Sequence, residues 1–417
     1  MKLFLAALFV FSYVTLFSQD TLKVMTYNVL NYGITTSYCT TVNNNILTKE
    51  ANLKTIFEYA DADIININEL GTGLSNSQRL LDSVLNKAYP NRYARGQYFN
   101  STASSLVNMV YYNKNLLAIH SQYSIIDGIR DICFFKFYYK GNQLLTGDTA
   151  FLTVISAHLK AGSTTSDADD RAAETLALMN YIQNRPVTGN LIVLGDFNVY
   201  GSSEDCFQNL VNFSNSSLRF YDPINKLGEW NNNSSYAAYH TQSAWTNDNG
   251  CAATGGMDDR FDFILMNENI KYNVQKISYV SGSYLAIGQD GNRFNQSVSY
   301  PTNTSAPTAV INALQIASDH LPVVMKLKVN QNPMSVSFTS LPVLKFGYVG
   351  GNVWSLLNLD ENETYQVVVR DLRGRTITVL HCDKGSSEIN LSGLASGMYL
   401  LNYSSPATSG VFKVWVE

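Results

Sequence analysis

Four short blocks place chemically capable side chains where buried strands end. Asn28 stands in VMTYNVLNYG, Glu69 in ADIININEL, Gly195-Asp196-Phe197-Asn198 in LIVLGDFNVYG, and Ser318-Asp319-His320 in ASDHLPVV. Three of the four sit at the end of an apolar, β-branched run, the pattern of a strand covered on both faces. Such strands, laid side by side, deliver their terminal residues to one edge of a sheet. An Asn, several carboxylates and a His gathered there make a site for a divalent cation and a phosphate. The physical case is charge: two like charges 4 Å apart repel by about 4 kcal/mol at an effective dielectric of 20, and a divalent cation removes that repulsion. Hard oxygen ligands suit Mg²⁺, Mn²⁺ or Ca²⁺ better than zinc.

With 417 residues the chain suggests two domains, and 45 % apolar against 15 % charged residues allows a large core. The net charge of −4 dictates no strongly acidic or basic partner, although a local groove of Arg and Lys still suffices for nucleic acid. Lys2, the apolar stretch Leu3 to Phe17 and the small Ser18 read as a signal peptide over residues 1–18, the alternative being a retained N-terminal anchor. No other segment approaches the ~20 apolar residues of a membrane span. The five cysteines show no CxxC spacing, which argues against a zinc or iron–sulfur site and leaves disulfides open in an oxidising compartment. Cys39, Cys133, Cys206 and Cys251 allow three connectivities, and a Cys206–Cys251 pair would bracket the loops after the GDFN strand.

Strand-like runs fall at 22–30, 63–67, 106–112, 131–139, 151–157, 191–194, 261–266 and 321–329. A helix is expected over 48–59, and another after Ser166, with Asp167, Asp169 and Asp170 in its first turn and Pro186 ending it. Helices are too few for strict βαβ alternation, so two sheets packed face to face with helices outside fit better than one doubly wound sheet. Residues 281–317, rich in Ser, Asn, Thr and Gly, read as a long loop. From Gln331-Asn332-Pro333 onward, short β-type runs alternate with Gly and Asn turns, as in a small β-sandwich.

The order of Asn28, Glu69, GDFN and SDH resembles the endonuclease/exonuclease/phosphatase superfamily across roughly residues 20 to 330. The resemblance implies a four-layer α/β/β/α sandwich and a secreted, metal-dependent phosphodiesterase, most readily a nuclease acting on DNA or RNA, with Mg²⁺ as cofactor. A sphingomyelinase-like or other phosphoesterase is the alternative within the enzymes. A catalytically silent binding protein of the same fold is the alternative outside them. The blocks Asp371-Leu372-Arg373-Gly374-Arg375, Ile389 to Leu394 and Gly397-Met398-Tyr399 resemble the C-terminal sorting domain of the type IX secretion system, which implies outer-membrane export for residues 331–417. An ordinary accessory domain is the other reading. A monomer is expected.

By the same resemblance Asn28, Glu69 and Asp319 hold the metal, while Asp196 and the Asp262–His320 pair orient the attacking water. Asn198 steadies the phosphoryl oxygens and His158, in VISAHLKAG, assists the leaving oxygen. His at position 158 matches the deoxyribonuclease, sphingomyelinase and phosphatase branches rather than the exodeoxyribonuclease III branch, commonly Asn here; no carboxylate partner for it is evident in the sequence. Arg95, Lys160 and Arg171 are candidate phosphate contacts, with Arg293 behind them, and Tyr98, Tyr200 and Trp245 could stack on bases. His120, His240 and His381 have no such context.

Overall fold

A computed structural model describes residues 20–126, 128–141, 149–185, 187–329, 345–357, 359, 364–383, 387–405 and 409–417. The expected leader, Pro186 and the expected junction at Gln331-Asn332-Pro333 lie outside these residues. The chain divides into two compact units, Met1–Asn332 and Pro333–Glu417.

Two sheets build the first unit. One contains β1 (Asp20–Tyr32), β2 (Ile64–Gly71), β3 (Tyr93–Arg95), β4 (Leu106–Asn113), and, from later in the chain, three strands following a second sheet. That second sheet takes β5 (Leu117–Ile125), β6 (Ile132–Tyr139), β7 (Phe151–His158), β8 (Asn190–Asp196), β9 (Phe220–Tyr221) and β10 (Asp262–Asn267). The returning strands are β11 (Ile277–Tyr279), β12 (Leu285–Ala286) and β13 (Val323–Val329). The spatial orders are β11-β13-β1-β2-β4-β3, with β12 also on β13, and β5-β6-β7-β8-β10-β9. Each sheet is antiparallel except for one central pair, β1 with β2 and β7 with β8. A parallel pair needs a crossover, and here the helices Ile46–Ala60 and Thr165–Asn184 supply the two.

Side chains alternate along these strands between two cores. In β8, Ile192 and Leu194 join the core shared with the first sheet, while Leu191 and Val193 face the helix Thr165–Asn184 through Leu178, Met179 and Ile182. Fully burying a side chain of this size contributes about 1.5–3 kcal/mol. On the other side, Leu53, Ile56, Phe57 and Ala60 seat the first crossover helix on β1 and β2. The result is the α/β/β/α sandwich, with the C-terminal ends of both central parallel pairs at one edge.

The helices begin where backbone donors find acceptors. Asn45 accepts from Leu47 N–H and Thr48 N–H at 3.0 and 3.1 Å, so the first helix starts at Ile46. The second starts at Thr165 rather than after Ser166, because Thr164 and Asp167 form a reciprocal capping box two residues earlier. Residues 281–317 are not one long loop. They hold β12 and the helix Thr308–Ala317, whose Val310, Ile311, Ala313, Leu314 and Ala317 are buried at helical spacing. Leu117–Ile125, an edge strand mostly half-buried, has too mixed a pattern to read as a strand from sequence.

The second unit is all-β, with sheets β14-β15-β18 and β17-β16-β19-β20. These strands are β14 (Lys345–Gly350), β15 (Val353–Leu357), β16 (Tyr365–Asp371), β17 (Thr376–Cys382), β18 (Glu388–Asn390), β19 (Gly397–Ser404) and β20 (Ser409–Val416). Val367, Val369, Ile389, Leu401 and Val416 lie in its core. Among the described residues no helix is long and apolar enough to cross a membrane.

The disulfide joins Cys39 to Cys251, not Cys206 to Cys251. Cys206 is instead a buried thiol in the helix Asp205–Val211, and Cys133 and Cys382 are buried thiols as well. The bond links the loop after β1 to the loop before β10 and packs with Leu30, Ala252 and Trp245. Because it closes a separation of 212 residues, replacing Cys39 by Ser is expected to lower unfolding free energy by about 2–5 kcal/mol in urea titrations. A Cys206→Ser control should shift it by no more than the packing of one small side chain.

Candidate phosphoester site at the shared sheet edge

The edge where β1, β2, β7 and β8 end carries the chemistry. β1 and β2 are both bulged there: their register shifts between Asn28 and Tyr32, and that of β2 with β4 between Ile67 and Leu70. Leu30, Asn31 and Glu69 take positive φ at these bulges, 47°, 50° and 59°. Bulges re-aim side chains, and here they turn Glu69 back toward Asn28. The amide of Asn28 donates to Glu69 Oε1 at 3.0 Å and to Asp196 Oδ2 at 2.9 Å. Its orientation is set from behind, since Asn28 Oδ1 accepts from Leu30 N–H at 3.0 Å. Asn28 therefore presents nitrogen, not oxygen, to the two carboxylates.

Asp196 Oδ2 is the point of convergence. His158 Nε2 lies 3.5 Å from it and His320 Nε2 3.7 Å. Ligand atoms of Glu69, His158 and Asp196 all fall within 4.8 Å of one another, a grouping that can hold a metal ion. Gly195, just before, is needed for packing rather than for a turn at the substrate. A Cβ there would meet Ala157 O of β7 at 1.8 Å. Phe197 stacks on Phe263, ring centroids 5.3 Å apart, and holds the strand end down. Asn198 sits at φ 50° and donates to Leu159 O at 3.2 Å.

The two histidines are in opposite electrostatic settings. His320 Nδ1 is 2.7 Å from Asp262 Oδ2, which also accepts from the Thr241 hydroxyl at 2.7 Å. Burial alone would lower the His320 pKa, but Asp262 and Asp196, with Asp319 behind them, hold it well above the ordinary value. His158 is pushed well below its ordinary value by burial, then by Arg130 and His320. Its Nδ1 is buried and has no hydrogen-bond partner among the described residues. Burial also raises Asp196 to about 7, against the pull of His320 and with help from Asp262 and Glu69.

The expected residues do not all meet. Asp319 is buried but gives Oδ2 to Ala253 N–H at 2.8 Å, outside the Glu69–His158–Asp196 group. Arg95 bonds Gln78 Oε1 and Gly96 O, each at 3.1 Å. Lys160 is paired with Asp167. Arg171 is buried, with Glu204 at 2.7 Å and the carbonyls of Lys160 and Gly162 taking its remaining donors, so it braces a loop rather than reaching for phosphate. Arg293 is likewise held by Asp290. Tyr98 is hydrogen-bonded to Gly73 N–H, and Tyr200 packs on Phe261.

Two site residues had no signal in the sequence. Arg130, in the turn before β6, donates to the carbonyls of His158 and Leu159, at 3.3 and 3.2 Å, and its charge is felt by Glu69 and Asp196. Its Nε is buried and has no hydrogen-bond partner among the described residues. Gln242 places its amide 2.7 Å from His320 Nε2. Beneath the edge, Asn66 and Asn68 of β2 join the sheets. Asn68 donates to Asn108 Oδ1 at 2.7 Å and to Ala157 O at 3.2 Å, and accepts from Asp196 N–H at 3.1 Å. Asn66 donates to Thr26 Oγ1 at 3.0 Å and accepts from the Ser156 hydroxyl.

The sequence model described as the Endonuclease/Exonuclease/phosphatase family matches residues 25–320, and that of a secretion system C-terminal sorting domain matches residues 353–417. No curated protein matches the chain. Among solved structures it is similar to an endonuclease/exonuclease/phosphatase family protein from Bacteroides thetaiotaomicron, at 14 % identity and a TM-score of 0.48, covering 76 % of this chain and 100 % of that one. It is similar to D. rerio TDP2 complexed with single strand DNA product at 12 % identity and a TM-score of 0.46, covering 75 % and 100 %. It is also similar to a mannosyl-6-phosphatase of Bacteroides thetaiotaomicron at 14 % identity and a TM-score of 0.45, covering 73 % and 99 %.

The charge states lead to a direct measurement. In metal-free protein at pH 7, imidazole NMR should find His320 charged and His158 neutral. A raised pKa stabilises the fold below the unfolded value and loses that contribution as pH rises through the folded one; a lowered pKa does the reverse. Asp262→Asn should bring the His320 titration down toward the ordinary range. A His320 that is already neutral at pH 7 in the unsubstituted protein contradicts the assignment.

Proposed function

Because the chain belongs to the endonuclease/exonuclease/phosphatase family, we propose that its first unit is a divalent-metal-dependent phosphodiesterase that hydrolyses nucleic acid outside the cell. The observation that carries this reading is the convergence of Asn28, His158 and His320 on one oxygen of Asp196, with Glu69 tied to the same amide. Glu69 is the donor that would hold the cation. Its fit rests on its carboxylate standing beside that of Asp196, in a group whose ligand atoms lie within 4.8 Å of one another. Carboxylate oxygen suits Mg²⁺ or Mn²⁺. When bound, such an ion polarises a phosphoryl oxygen and offsets the carboxylate charge.

The chain's own groups account for the rest. Asn28 keeps Glu69 and Asp196 at a fixed spacing. Asp196, raised to about 7, is suited to accept the proton of an attacking water near neutral pH. His320, charged and oriented by Asp262, donates to the phosphoryl group as negative charge grows there. His158, neutral, offers a hydrogen bond on the leaving-oxygen side without adding charge. Arg130 brings a fixed positive charge close to Glu69 and Asp196, and Asn198 keeps a second amide hydrogen beyond its bond to Leu159.

A second reading, a compact lipid or sugar phosphoester, is favoured by one observation. Arg95, Lys160 and Arg171 are each engaged by partners within the protein, whereas a long polyanion needs several free cations. Plasmid DNA, RNA, sphingomyelin and a generic phosphodiester, each with Mg²⁺ and with EDTA, separate the readings. Nicked or linear plasmid supports a nuclease, and turnover confined to the small diesters supports the second reading. No turnover of any of them rejects both and leaves a silent fold.

Glu69→Gln should lower activity and weaken the Mg²⁺ requirement together, since it removes a formal charge while keeping shape. His158→Ala and His320→Ala should each lower kcat by roughly 10²-fold or more with a much smaller change in KM. Near-normal turnover in folded single mutants would rule out the two-histidine scheme.

The C-terminal match supports export through the type IX machinery for residues 331–417, with residues 20–330 carrying catalysis and 1–18 serving as leader. A chain ending at Asn330 should keep its specific activity yet stay inside its own host, as measured by activity in cell and medium fractions. Lost activity in a folded truncation would instead make the second unit part of the substrate site.

A further inference from the structure

Lys49 lies on the helix Ile46–Ala60 and is 3 % exposed, a setting in which lysine is almost always paired with a carboxylate. Among the described residues none lies within ion-pair distance of it. Instead Nζ donates to three backbone carbonyls: Val29 O at 2.7 Å, Leu30 O at 2.6 Å and Ala317 O at 2.8 Å. Three acceptors match the three N–H groups of an ammonium. A neutral amine has only two, and would turn its lone pair against a carbonyl oxygen. Burial draws the Lys49 pKa down to about 7, while Asp319 and Glu69 oppose the fall; the triple carbonyl contact favours the charged form further.

The three carbonyls belong to two segments that no ladder joins at this level. The pairing of β1 with β13 ends at Thr26 and Val323. Beyond it β1 kinks, with Leu30 and Asn31 both left-handed. The kink sends carbonyls one way, to Lys49, and N–H groups the other way. Leu30 N–H goes to Asn28 Oδ1 and Asn31 N–H to Glu69 Oε2, both at 3.0 Å. Ala317 ends the helix Thr308–Ala317 and directly precedes Ser318-Asp319-His320. Two further links at this level are the Ser318 hydroxyl on Asn28 O at 2.7 Å and the Asn28 amide nitrogen 3.5 Å from His320 Nε2.

We propose that Lys49 is a positioning residue: its ammonium ties the kinked end of β1 to the Ser318–His320 segment, and so sets the distance between the Asn28–Glu69 pair and His320. The inference rests on the phosphoester reading above and deepens it. Lys49 touches neither substrate nor cation. It acts by holding two backbone segments whose side chains must meet at Asp196.

Lys49→Met keeps the length and apolar stem and removes all three donors. At saturating Mg²⁺ its kcat should fall about tenfold or more while KM stays within about threefold, the split expected when reacting groups are misplaced rather than binding lost. Lys49→Arg restores charge and donors, and should bring kcat back to within about threefold of the unsubstituted protein. Hydrogen exchange at Leu30 and Asn31 should quicken in Lys49→Met ahead of exchange in the core of β8. Folded Lys49→Met with unchanged kcat, or with kcat lowered and not recovered in a folded Lys49→Arg, overturns the proposal. If Lys49→Met does not fold, folded Lys49→Arg decides: kcat within about tenfold upholds the clamp, a larger loss rejects it. Glu69→Gln runs alongside. Unsubstituted protein whose turnover needs neither Mg²⁺ nor Glu69 removes the proposed function and this inference together, whereas normal metal-dependent turnover with an indifferent Lys49 removes this inference alone.

Discussion

Everything at the active edge depends on two sheets being held in register by a buried polar seam. Apolar packing between sheets is strong but has no direction, so it tolerates sliding. Hydrogen bonds between buried amides do not, because each unmade one leaves a desolvated group at about 1–3 kcal/mol. Asn66 and Asn68 of β2 meet Thr26 and Asn108 in their own sheet and Ser156, Ala157 and Asp196 in the other. Asn68 alone touches the backbone of both β7 and β8. Glu69 follows it directly, so the seam fixes Glu69 against His158 and Asp196, whose ligand atoms lie within 4.8 Å of its own. Asn108 extends the seam to Asp131 O, next to Arg130.

The site built on that seam sets two imidazoles against one carboxylate oxygen in opposite electrostatic settings. Against its burial, His320 is held above the ordinary range by Asp262 and Asp196, whereas burial first and Arg130 second hold His158 below it. Backbone strain is present at the site as well: Leu30, Asn31, Glu69 and Asn198 all hold positive φ without being glycine. Non-glycine residues in such conformations persist only where surrounding bonds over-determine them. Here Lys49, Asn28, Asp196 and Leu159 provide those bonds.

Much of the fold was legible because its strands are short apolar runs with clear ends. The eight runs read from sequence all correspond to strands, and the two-sheet architecture followed from their number against so few helices. Asp196 was legible because it ends a strand, Asp262 because it opens one, and His320 because it stands shortly before one. What stayed hidden depends on tertiary context. Lys49 sits in an amphipathic helix, where a lysine ordinarily reads as a solvated charge. Arg130 lies in a turn that acquires meaning only when β6 pairs with β7. Arg171 looked free for phosphate, but its neighbours Lys160, Gly162 and Glu204 come from three directions. The helix Thr308–Ala317 was obscured by the polar residues before it, although its own apolar spacing is helical. Cysteine pairing could not be read at all, since sequence carries no information on which loops flank the same edge.

The Cys39–Cys251 bond encloses β2 through β9 in one covalent ring, with β1, β10 and the returning strands outside it. Glu69, His158 and Asp196 are on the ring, while Asn28, Asp262 and His320 are on its tails. A backbone cut at any single position between the two cysteines opens the ring without releasing a fragment. The seam and both cores would still hold the nicked chain together, and neither half of the site could diffuse away. A chain that carries a secretion sorting domain gains from this a tolerance to backbone cleavage that packing alone does not provide.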